Sequence, residues 1–221
     1  MGRFFAIGDI HGCYKTLKYL LFEKLEITKE DRIIFLGDYI DKGPNSKKVI
    51  KLILKLELEG YEIDKLIGNH EIMLLNSIKS PFEYHNWLKN GGKETLESFD
   101  ILHPNKLKMK YLAFFKNLSY FKIFKDNIFV HGGLNFKLDN PLEDIESMLW
   151  IRNSEVLTNK IGGRKIIVGH TPSTIKEIKK SLSSDRILLD GGCVYKDRKD
   201  LGNLVAFEIY SKKLFFVNNM D

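Results

Sequence analysis

Five short apolar segments of this chain each end in a glycine-flanked polar motif, and this repetition constrains the fold more than any other feature. Short apolar runs bounded by glycine are typical of buried strands. Oxygen and imidazole groups that collect at the ends of such strands can build a two-metal site. The five motifs are Gly8-Asp9-Ile10-His11-Gly12, Gly37-Asp38-Tyr39-Ile40-Asp41, Gly68-Asn69-His70-Glu71, Val130-His131-Gly132-Gly133 and Gly169-His170-Thr171.

The first part of the chain alternates predicted strands with predicted helices. Contiguous apolar residues indicate the strands, and leucine or isoleucine at helical spacing indicates the helices. We expect strands at residues 4–7, 32–36 and 63–67, and helices at 14–25, at 45–59 and from about His70. This βαβαβ order predicts strands that are mainly parallel and covered by helices.

The second half of the chain is richer in strands. Residues 120–125 and 128–131 flank Asp126-Asn127, which predicts a hairpin turn there. Further strands are expected at 165–168, 186–189, 204–210 and 214–217, with the last two joined around Ser211-Lys212. Strand-rich sequence after βαβ sequence predicts an α/β fold in which two packed, mixed β-sheets are flanked by helices.

We expect one domain over residues 1–221, because a chain of this length with 43% hydrophobic residues can bury one substantial core. Residues 80–118 predict helices and loops without a strand, and we interpret them as a helical insertion at one edge. No repeat, low-complexity tract or Pro/Gly/Ser linker marks a boundary.

The charge and the cysteines narrow the class of protein. The net charge is +6, but the lysines are scattered between apolar residues of predicted helices, so we expect solvated faces and no nucleic acid partner. An acidic or phosphorylated partner is the alternative. Cys13 and Cys193 are far apart and lack CxxC spacing, which argues against a disulfide framework or thiolate zinc site. With no signal peptide or membrane span in the sequence, we expect a cytoplasmic location and no membrane partner.

The polar residues after the strands have the chemistry of metal ligands. Asp9 and His11 end one strand, and Asp38 ends its neighbour, where a carboxylate can bridge two cations. A second, neutral set consists of Asn69, His131 and His170. Oxygen and imidazole donors without thiolates suit manganese, iron or zinc. A single Asp or Asn beside glycine is ordinary turn chemistry, but ligands after five predicted strands favour a shared site.

Two other phosphate chemistries, and the two remaining histidines, can be set aside from the sequence. A cysteine phosphatase needs arginine six residues after its cysteine, whereas Cys13 and Cys193 have tyrosine and lysine there. The segment Gly162-Gly163-Arg164-Lys165 lacks the spacing of a phosphate-binding P-loop. His85 and His103 lie in the predicted insertion, away from strand ends, and we interpret them as surface or packing residues.

Taken together, the five motifs resemble the phosphoprotein phosphatase branch of the calcineurin-like metallophosphoesterases, over residues 8–170. Three further segments resemble bacterial serine/threonine protein phosphatases of this superfamily. They are Trp87-Leu88-Lys89-Asn90-Gly91-Gly92 with Thr95-Leu96, then Leu149-Trp150-Ile151-Arg152, and Asp190-Gly191-Gly192-Cys193-Val194-Tyr195. The resemblance implies the αββα sandwich of these enzymes.

The resemblance also implies a role for each matching residue. Asp9 and His11 would hold one metal ion, Asp38 would bridge, and the second ion would be held by Asn69, His131 and His170. His70 would protonate the leaving group, with Asp41 orienting its imidazole. Phosphate would be bound by Asn69, Arg152 and Lys42. Lys42 departs from the arginine usual at its position and loses bidentate geometry, so phosphate affinity or substrate choice is expected to differ.

The resemblance predicts a metal-dependent phosphomonoester hydrolase with two divalent ions, manganese first, that activate water between them. The first expectation is a serine/threonine protein phosphatase that could also act on phosphotyrosine. Its partner would be a phosphorylated protein or peptide. The nearest alternative is a symmetrical diadenosine tetraphosphate hydrolase, which usually ends the third motif in Asp and lacks the paired Asp of the second. Glu71 and Asp41 favour the phosphatase. A non-catalytic metal-binding or RNA-associated module is a third alternative, against which His70 and Asp41 argue.

Overall fold

A computed structural model describes residues 2–153 and 155–221. It contains two mixed sheets flanked by helices, which confirms the predicted α/β fold class. The first sheet has the strand order β3-β2-β1-β8-β9. Its strands are β1 (Phe4–Ile7), β2 (Arg32–Phe35), β3 (Glu62–Lys65), β8 (Asn203–Glu208) and β9 (Lys213–Asn218). Strands β1, β2 and β3 are parallel, β8 pairs antiparallel with β1, and β9 pairs antiparallel with β8 at the edge.

The second sheet has the order β4-β5-β6-β7. A hairpin of β4 and β5 is followed by two parallel strands, so β5, β6 and β7 all run in one direction. The strands are β4 (Phe121–Phe124), β5 (Asn127–Val130), β6 (Lys165–Val168) and β7 (Arg186–Leu188). Parallel strands in both sheets therefore end at defined edges, where the polar motifs follow.

The two faces of β1 explain why the sheets stack with helices outside. Phe4 and Ala6 pack with Phe129 and Ile167 in the core between the sheets. Phe5 and Ile7 belong to the core beneath the helices instead. Because neighbouring side chains of a strand point to opposite faces, an entirely apolar strand must be covered on both. Full burial of each large side chain stabilises the fold by about 1.5–3 kcal/mol.

Eight α-helices occur in the described residues, and their bounds correct some predictions. They are α1 (Tyr14–Tyr19), α2 (Ser46–Leu58), α3 (Asn69–Ser77), α4 (Pro81–Trp87), α5 (Lys93–Phe99), α6 (Met109–Lys116), α7 (Ile145–Trp150) and α8 (Ile175–Ser181). The helix predicted at 14–25 is α-helical only to Tyr19 and continues as a π-helical segment over Leu20–Lys24. The apolar spacing therefore identified the buried face and not the hydrogen-bond pattern.

The region between β3 and β4 is helical, as predicted, and no residue of 80–118 lies in a strand. It carries α3, α4, α5 and α6 and joins the first sheet to the second. The hairpin prediction was displaced by one residue. Asn127 belongs to β5 and pairs with Phe124, which leaves Lys125 and Asp126 as the turn, with Lys125 at φ 50°.

Within the two described ranges, no helix is long and apolar enough to cross a membrane.

Candidate metal centre

The polar motifs lie together at the carboxyl ends of the parallel strands. Asp9 and His11 follow β1, Asp38 follows β2, and His131 and His170 follow β5 and β6. Asn69 and His70 are the first two residues of α3. All seven side chains are buried, with no more than 5% exposure. Each sequence-predicted ligand therefore lies at a strand end or helix start, as the motif pattern indicates.

The backbone is strained where it turns these side chains inward. His11, Asp38, Asp41, Lys42 and His170 all have φ between 46° and 70°. Non-glycine residues rarely adopt this left-handed conformation, and it persists only where the surroundings over-determine it. Five of the ten non-glycine residues with positive φ in the described chain therefore lie in or beside the polar motifs, as expected of a functional site.

Two glycines allow the carboxylates to approach the neighbouring chain closely. A Cβ atom at Gly68 would overlap Oδ1 of Asp38, and one at Gly169 would overlap Oδ1 of Asp9. Any larger residue would displace a carboxylate, because these contacts leave no room for it. This explains why glycine precedes Asn69 and His170 in their motifs.

Asp38 lies between two histidine sets and presents one oxygen to each. Its Oδ2 is 3.4 Å from Nε2 of His11, and its Oδ1 is 3.4 Å from Nε2 of His131. Potential ligand atoms lie within 4.8 Å of one another in two groups that share Asp38: His11, Asp38 and His70, and Asp38, His131 and His170. This geometry is what a carboxylate needs to bridge two cations.

Backbone carbonyls fix the ring orientation of two of the histidines. Nδ1 of His11 contacts the carbonyl oxygen of Ile40 at 2.8 Å, and Nδ1 of His131 contacts that of Leu36 at 2.9 Å. Because these contacts require a proton on Nδ1, Nε2 carries the lone pair and faces the site. This is the tautomer that binds a metal ion through Nε2.

Asn69 joins the second set of predicted ligands. Its Oδ1 lies 3.0 Å from Nε2 of His131 and 3.0 Å from Nδ1 of His170. Nε2 of His170 is buried without a hydrogen-bond partner among the described residues. Asp9 lies beside this set, where its carboxylate accepts the backbone N–H of His170 at 3.0 Å. An amide oxygen, imidazole nitrogens and a carboxylate thus converge.

Burial and mutual charge set the protonation states. Burial lowers the pKa of His11 well below its usual value, lowers that of His131, and lowers that of His170 to about 3. For Asp38, burial alone would raise the pKa, but His131 and His70 outweigh it and hold the pKa below its usual value. Neutral imidazoles around an ionised carboxylate form the donor set that a divalent transition metal requires.

A third carboxylate, Asp190, was not predicted as a functional residue. Burial raises its pKa to about 6, and burial together with Asp190 and Asp38 raises the pKa of Asp9 well above its usual value. Three carboxylates in one buried place repel each other, and this arrangement fits cations bound between them. The residues present thus fit a pair of divalent ions.

His70 also belongs to a hydrogen-bond network centred on Asp41. Nδ1 of His70 lies 2.8 Å from Oδ2 of Asp41, which also accepts the indole N–H of Trp87 at 2.8 Å. The Thr95 hydroxyl donates to Oδ1 of Asp41 at 2.6 Å. Asp41 is fully buried, so its orientation is fixed by three partners. In the sequence, Trp87 and Thr95 lie in segments that resemble the family, and no pattern there indicates Asp41 as their partner.

Glu71 holds two of the loops together. Its Oε2 accepts the backbone N–H groups of Gly68 and Asp38, and its Oε1 accepts that of Tyr39, each at 2.9 Å. The side chain is fully buried. Glu71 therefore ties the loop that carries Asp38 to the start of α3.

A cationic pocket of about 290 Å³ opens above these residues. Lys42, Arg152 and Arg198 line it together with Tyr195. The Tyr195 ring lies 5.5 Å from the Lys42 ammonium and 4.6 Å from the Arg198 guanidinium. Lys42 Nζ also lies 2.9 Å from Nε2 of His11, so it reaches the predicted ligands. Tyr195 and Arg198 had no assigned role from the sequence.

Two sheets between helices, with histidine, aspartate and asparagine converging at the strand ends, define a metallophosphoesterase. Residues 2–207 match the family described as calcineurin-like phosphoesterase. The chain belongs to this family of hydrolases, whose fold implies a dinuclear centre of divalent metal ions.

Known relatives carry dinucleotide hydrolase names. The symmetrical bis(5'-nucleosyl)-tetraphosphatase of Wigglesworthia glossinidia brevipalpis is 45% identical over 71 residues, which are 32% of this chain and 25% of that protein. The asymmetrical bis(5'-nucleosyl)-tetraphosphatase PrpE of Oceanobacillus iheyensis is 26% identical over 223 residues, covering 87% of this chain and 84% of that protein. The matches to two symmetrical relatives span only 25% and 46% of those proteins.

Solved structures share the fold at low sequence identity. A candidate diadenosine tetraphosphatase gives a TM-score of 0.71 at 19% identity, covering 100% of this chain and 95% of that chain. A cold-active protein-tyrosine phosphatase of a psychrophilic Shewanella gives 0.66 at 15% identity, covering 99% and 81%. These similarities establish the sandwich fold.

Proposed function

We propose that this metallophosphoesterase hydrolyses dinucleoside tetraphosphates and cleaves diadenosine tetraphosphate symmetrically into two ADP. The observation that carries the proposal is the pocket in which Lys42, Arg152 and Arg198 surround the predicted metal ligands. Three cations exceed what a single phosphate needs and suit a polyphosphate chain. The names of the relatives support the same substrate class, so the alternative from the sequence now precedes the protein phosphatase.

We assign two divalent ions, with manganese as the first candidate, to the converging side chains. Asp9, His11 and Asp38 would hold one ion, and Asp38, Asn69, His131 and His170 the other. Bound there, the ions would lower the pKa of water and neutralise charge on the phosphate oxygens. The two oxygens of Asp38, each 3.4 Å from a different histidine, support the bridging role.

The remaining residues bind, orient and protonate the substrate. Lys42, Arg152 and Arg198 hold phosphate oxygens, and Asn69 lies in the same pocket. Nδ1–H of His70 donates a hydrogen bond to Oδ2 of Asp41, and its Nε2 faces Asp38 and the pocket. From there His70 donates a proton where the leaving oxygen is basic, as in a phosphoester, and a hydrogen bond where the leaving group is the phosphate of ADP.

Turnover on two substrates, measured side by side, tests the proposal. The purified protein is supplied with manganese and assayed with diadenosine tetraphosphate and with a phosphoserine peptide, and the nucleotide products are separated by chromatography. We expect kcat/KM to be larger for the dinucleotide and ADP to be the sole product. Equal amounts of AMP and ATP would show asymmetrical cleavage and refute the symmetrical position. A dephosphorylated peptide together with an intact dinucleotide would refute the proposal as a whole.

The second candidate is a protein phosphatase, which the His70–Asp41 contact favours. A serine alkoxide is a very basic leaving group and needs a proton, whereas the terminal phosphate of ADP has a pKa of about 6 and departs as an anion. His70→Asn should therefore lower turnover of a phosphoserine peptide about 10²–10⁴-fold and turnover of diadenosine tetraphosphate much less. Equal losses on both substrates would remove His70 as the proton donor.

A further inference from the structure

We propose that a second cavity beside the metal centre is a nucleotide subsite that holds one ADP half of the substrate. This inference rests on the proposed dinucleotide hydrolysis. The cavity, called the side cavity below, has a volume of about 600 Å³. Its polar lining includes Arg152, Thr171, Lys180, Ser181, Ser184 and Arg186.

The side cavity adjoins the pocket over the metal ligands. Arg152, Thr171 and Pro172 line both. Thr171 and Pro172 directly follow His170, so a substrate held at the metal centre can extend past them into the side cavity. A dinucleoside tetraphosphate that is cleaved at its centre has a nucleotide half on each side of the reacting bond. One of these halves must therefore lie in a space beside the metal centre.

The charge of the side cavity suits an anion. Arg152, Lys180 and Arg186 contribute three cations, whereas Glu177 is the acidic residue of the lining. The Glu177 carboxylate already accepts the backbone N–H and the hydroxyl of Thr174 at the start of α8. The lining therefore has three cations and one carboxylate, and the three cations have no ion-pair partner in the lining.

Arg186 is the residue that most specifically points to a ligand. It begins β7, the edge strand of the second sheet, and its Nη2 donates to the carbonyl of Gly132 over a long 3.3 Å. Its Nε is buried and has no hydrogen-bond partner among the described residues, and the same holds for the hydroxyl of Thr171. Buried polar atoms without partners cost free energy, and a turn of the Arg186 and Thr171 side chains toward phosphate oxygens in the side cavity would give both atoms a partner.

The dimensions favour a nucleotide over a lone phosphate ion. Cavities of about 300–1,000 Å³ bind molecules of nucleotide size. Leu188 and Pro172 supply apolar surface for a base or ribose, and the serine hydroxyls of Ser181 and Ser184 lie among the cations. Arginine is suited to the phosphates because its planar fork binds two oxygens at once.

Calorimetric titration of the metal-loaded protein with ADP, and separately with inorganic phosphate, tests the subsite. ADP spans the metal centre and the side cavity, whereas phosphate needs only the metal centre. We expect Arg186→Gln to raise the Kd for ADP about tenfold or more, and Lys180→Gln to raise it severalfold, while the Kd for phosphate stays within about twofold. Arg186→Lys should fall between wild type and Arg186→Gln, since it keeps the charge and loses the fork.

Lys179→Gln is the matched control. Lys179 is the neighbour of Lys180 on α8, but its ammonium lies 5.8 Å from the Phe216 ring and it does not line the side cavity. We expect its ADP affinity to equal that of wild type. Lys180 is exposed, so its variant keeps the test valid if Arg186→Gln folds poorly.

Two results would overturn the subsite. One is ADP affinity that is equal in Arg186→Gln, Lys180→Gln and wild type, and the other is an equal loss of ADP and phosphate affinity. Failure of the proposed function has a different signature, because a wild-type protein that leaves diadenosine tetraphosphate intact refutes that function whatever its ADP affinity.

Discussion

Replacement of Glu71 by glutamine should destabilise the fold through one loop contact. Glu71 is fully buried and accepts three backbone N–H groups, two on Oε2 and one on Oε1. A glutamine side chain has one acceptor oxygen and one NH₂ group, which is itself a donor. The best arrangement keeps the bonds to Asp38 and Gly68 and sets the NH₂ group against the N–H of Tyr39.

The cost follows from these three bonds. Burial raises the pKa of Glu71, but three N–H groups donating to its two oxygens favour the carboxylate. One buried N–H without an acceptor costs about 1–3 kcal/mol, and the two remaining bonds lose the assistance of a negative charge. We expect the free energy of unfolding to fall by about 2–4 kcal/mol, measured by urea denaturation at a fixed metal concentration. Glu97→Gln is the control, because its exposed pair with Lys93 at 3.7 Å is worth about 0–1 kcal/mol. A Glu71→Gln midpoint equal to that of wild type would refute the assigned hydrogen bonds.

Two further substitutions test other contacts. Thr95→Val removes the hydroxyl that donates to Asp41 at 2.6 Å and should lower kcat about tenfold at unchanged metal content; an unchanged kcat would argue against a positioning role. Asp31→Asn should lower the free energy of unfolding at pH 7 by about 2 kcal/mol, because Asp31 accepts from Arg3 at 2.6 Å and from the backbone of Thr28 at 2.9 Å. Burial raises the pKa of Asp31, but these bonds outweigh it and hold the pKa below its usual value. The difference in free energy of unfolding between wild type and Asp31→Asn should therefore narrow below about pH 4. A difference that does not depend on pH would contradict this.

The placement of the candidate ligands at one edge was predictable from the sequence because the carboxyl ends of parallel strands meet there. Asp9 and His11 after β1, and His131 after β5, could be placed from apolar runs followed by polar residues. A bridging role for Asp38 could be expected from its place between two strand-end ligand sets, and the family resemblance implies the same role. Its two oxygens face different histidines, and its backbone adopts φ 51°, an angle that no sequence pattern encodes for an aspartate.

The supporting residues were less predictable, since they come from helices and loops that are distant in sequence. Trp87 and Thr95 reach Asp41 from the helical region between β3 and β4, across more than forty residues of chain. Arg186 reaches the carbonyl of Gly132 from the start of β7. Local patterns report burial and secondary structure, whereas these contacts depend on how the helices and the two sheets pack.

The number of bound metal ions tests the dinuclear centre most directly. Wild-type protein, Asp38→Asn and His70→Asn are purified with manganese, and the metal per chain is measured by elemental analysis. Since Asp38 presents an oxygen to each histidine set and His70 is assigned to proton donation, we predict about two ions per chain in wild type and in His70→Asn, and fewer than one in Asp38→Asn. Two ions retained by Asp38→Asn, or at most one in wild type, would contradict the account.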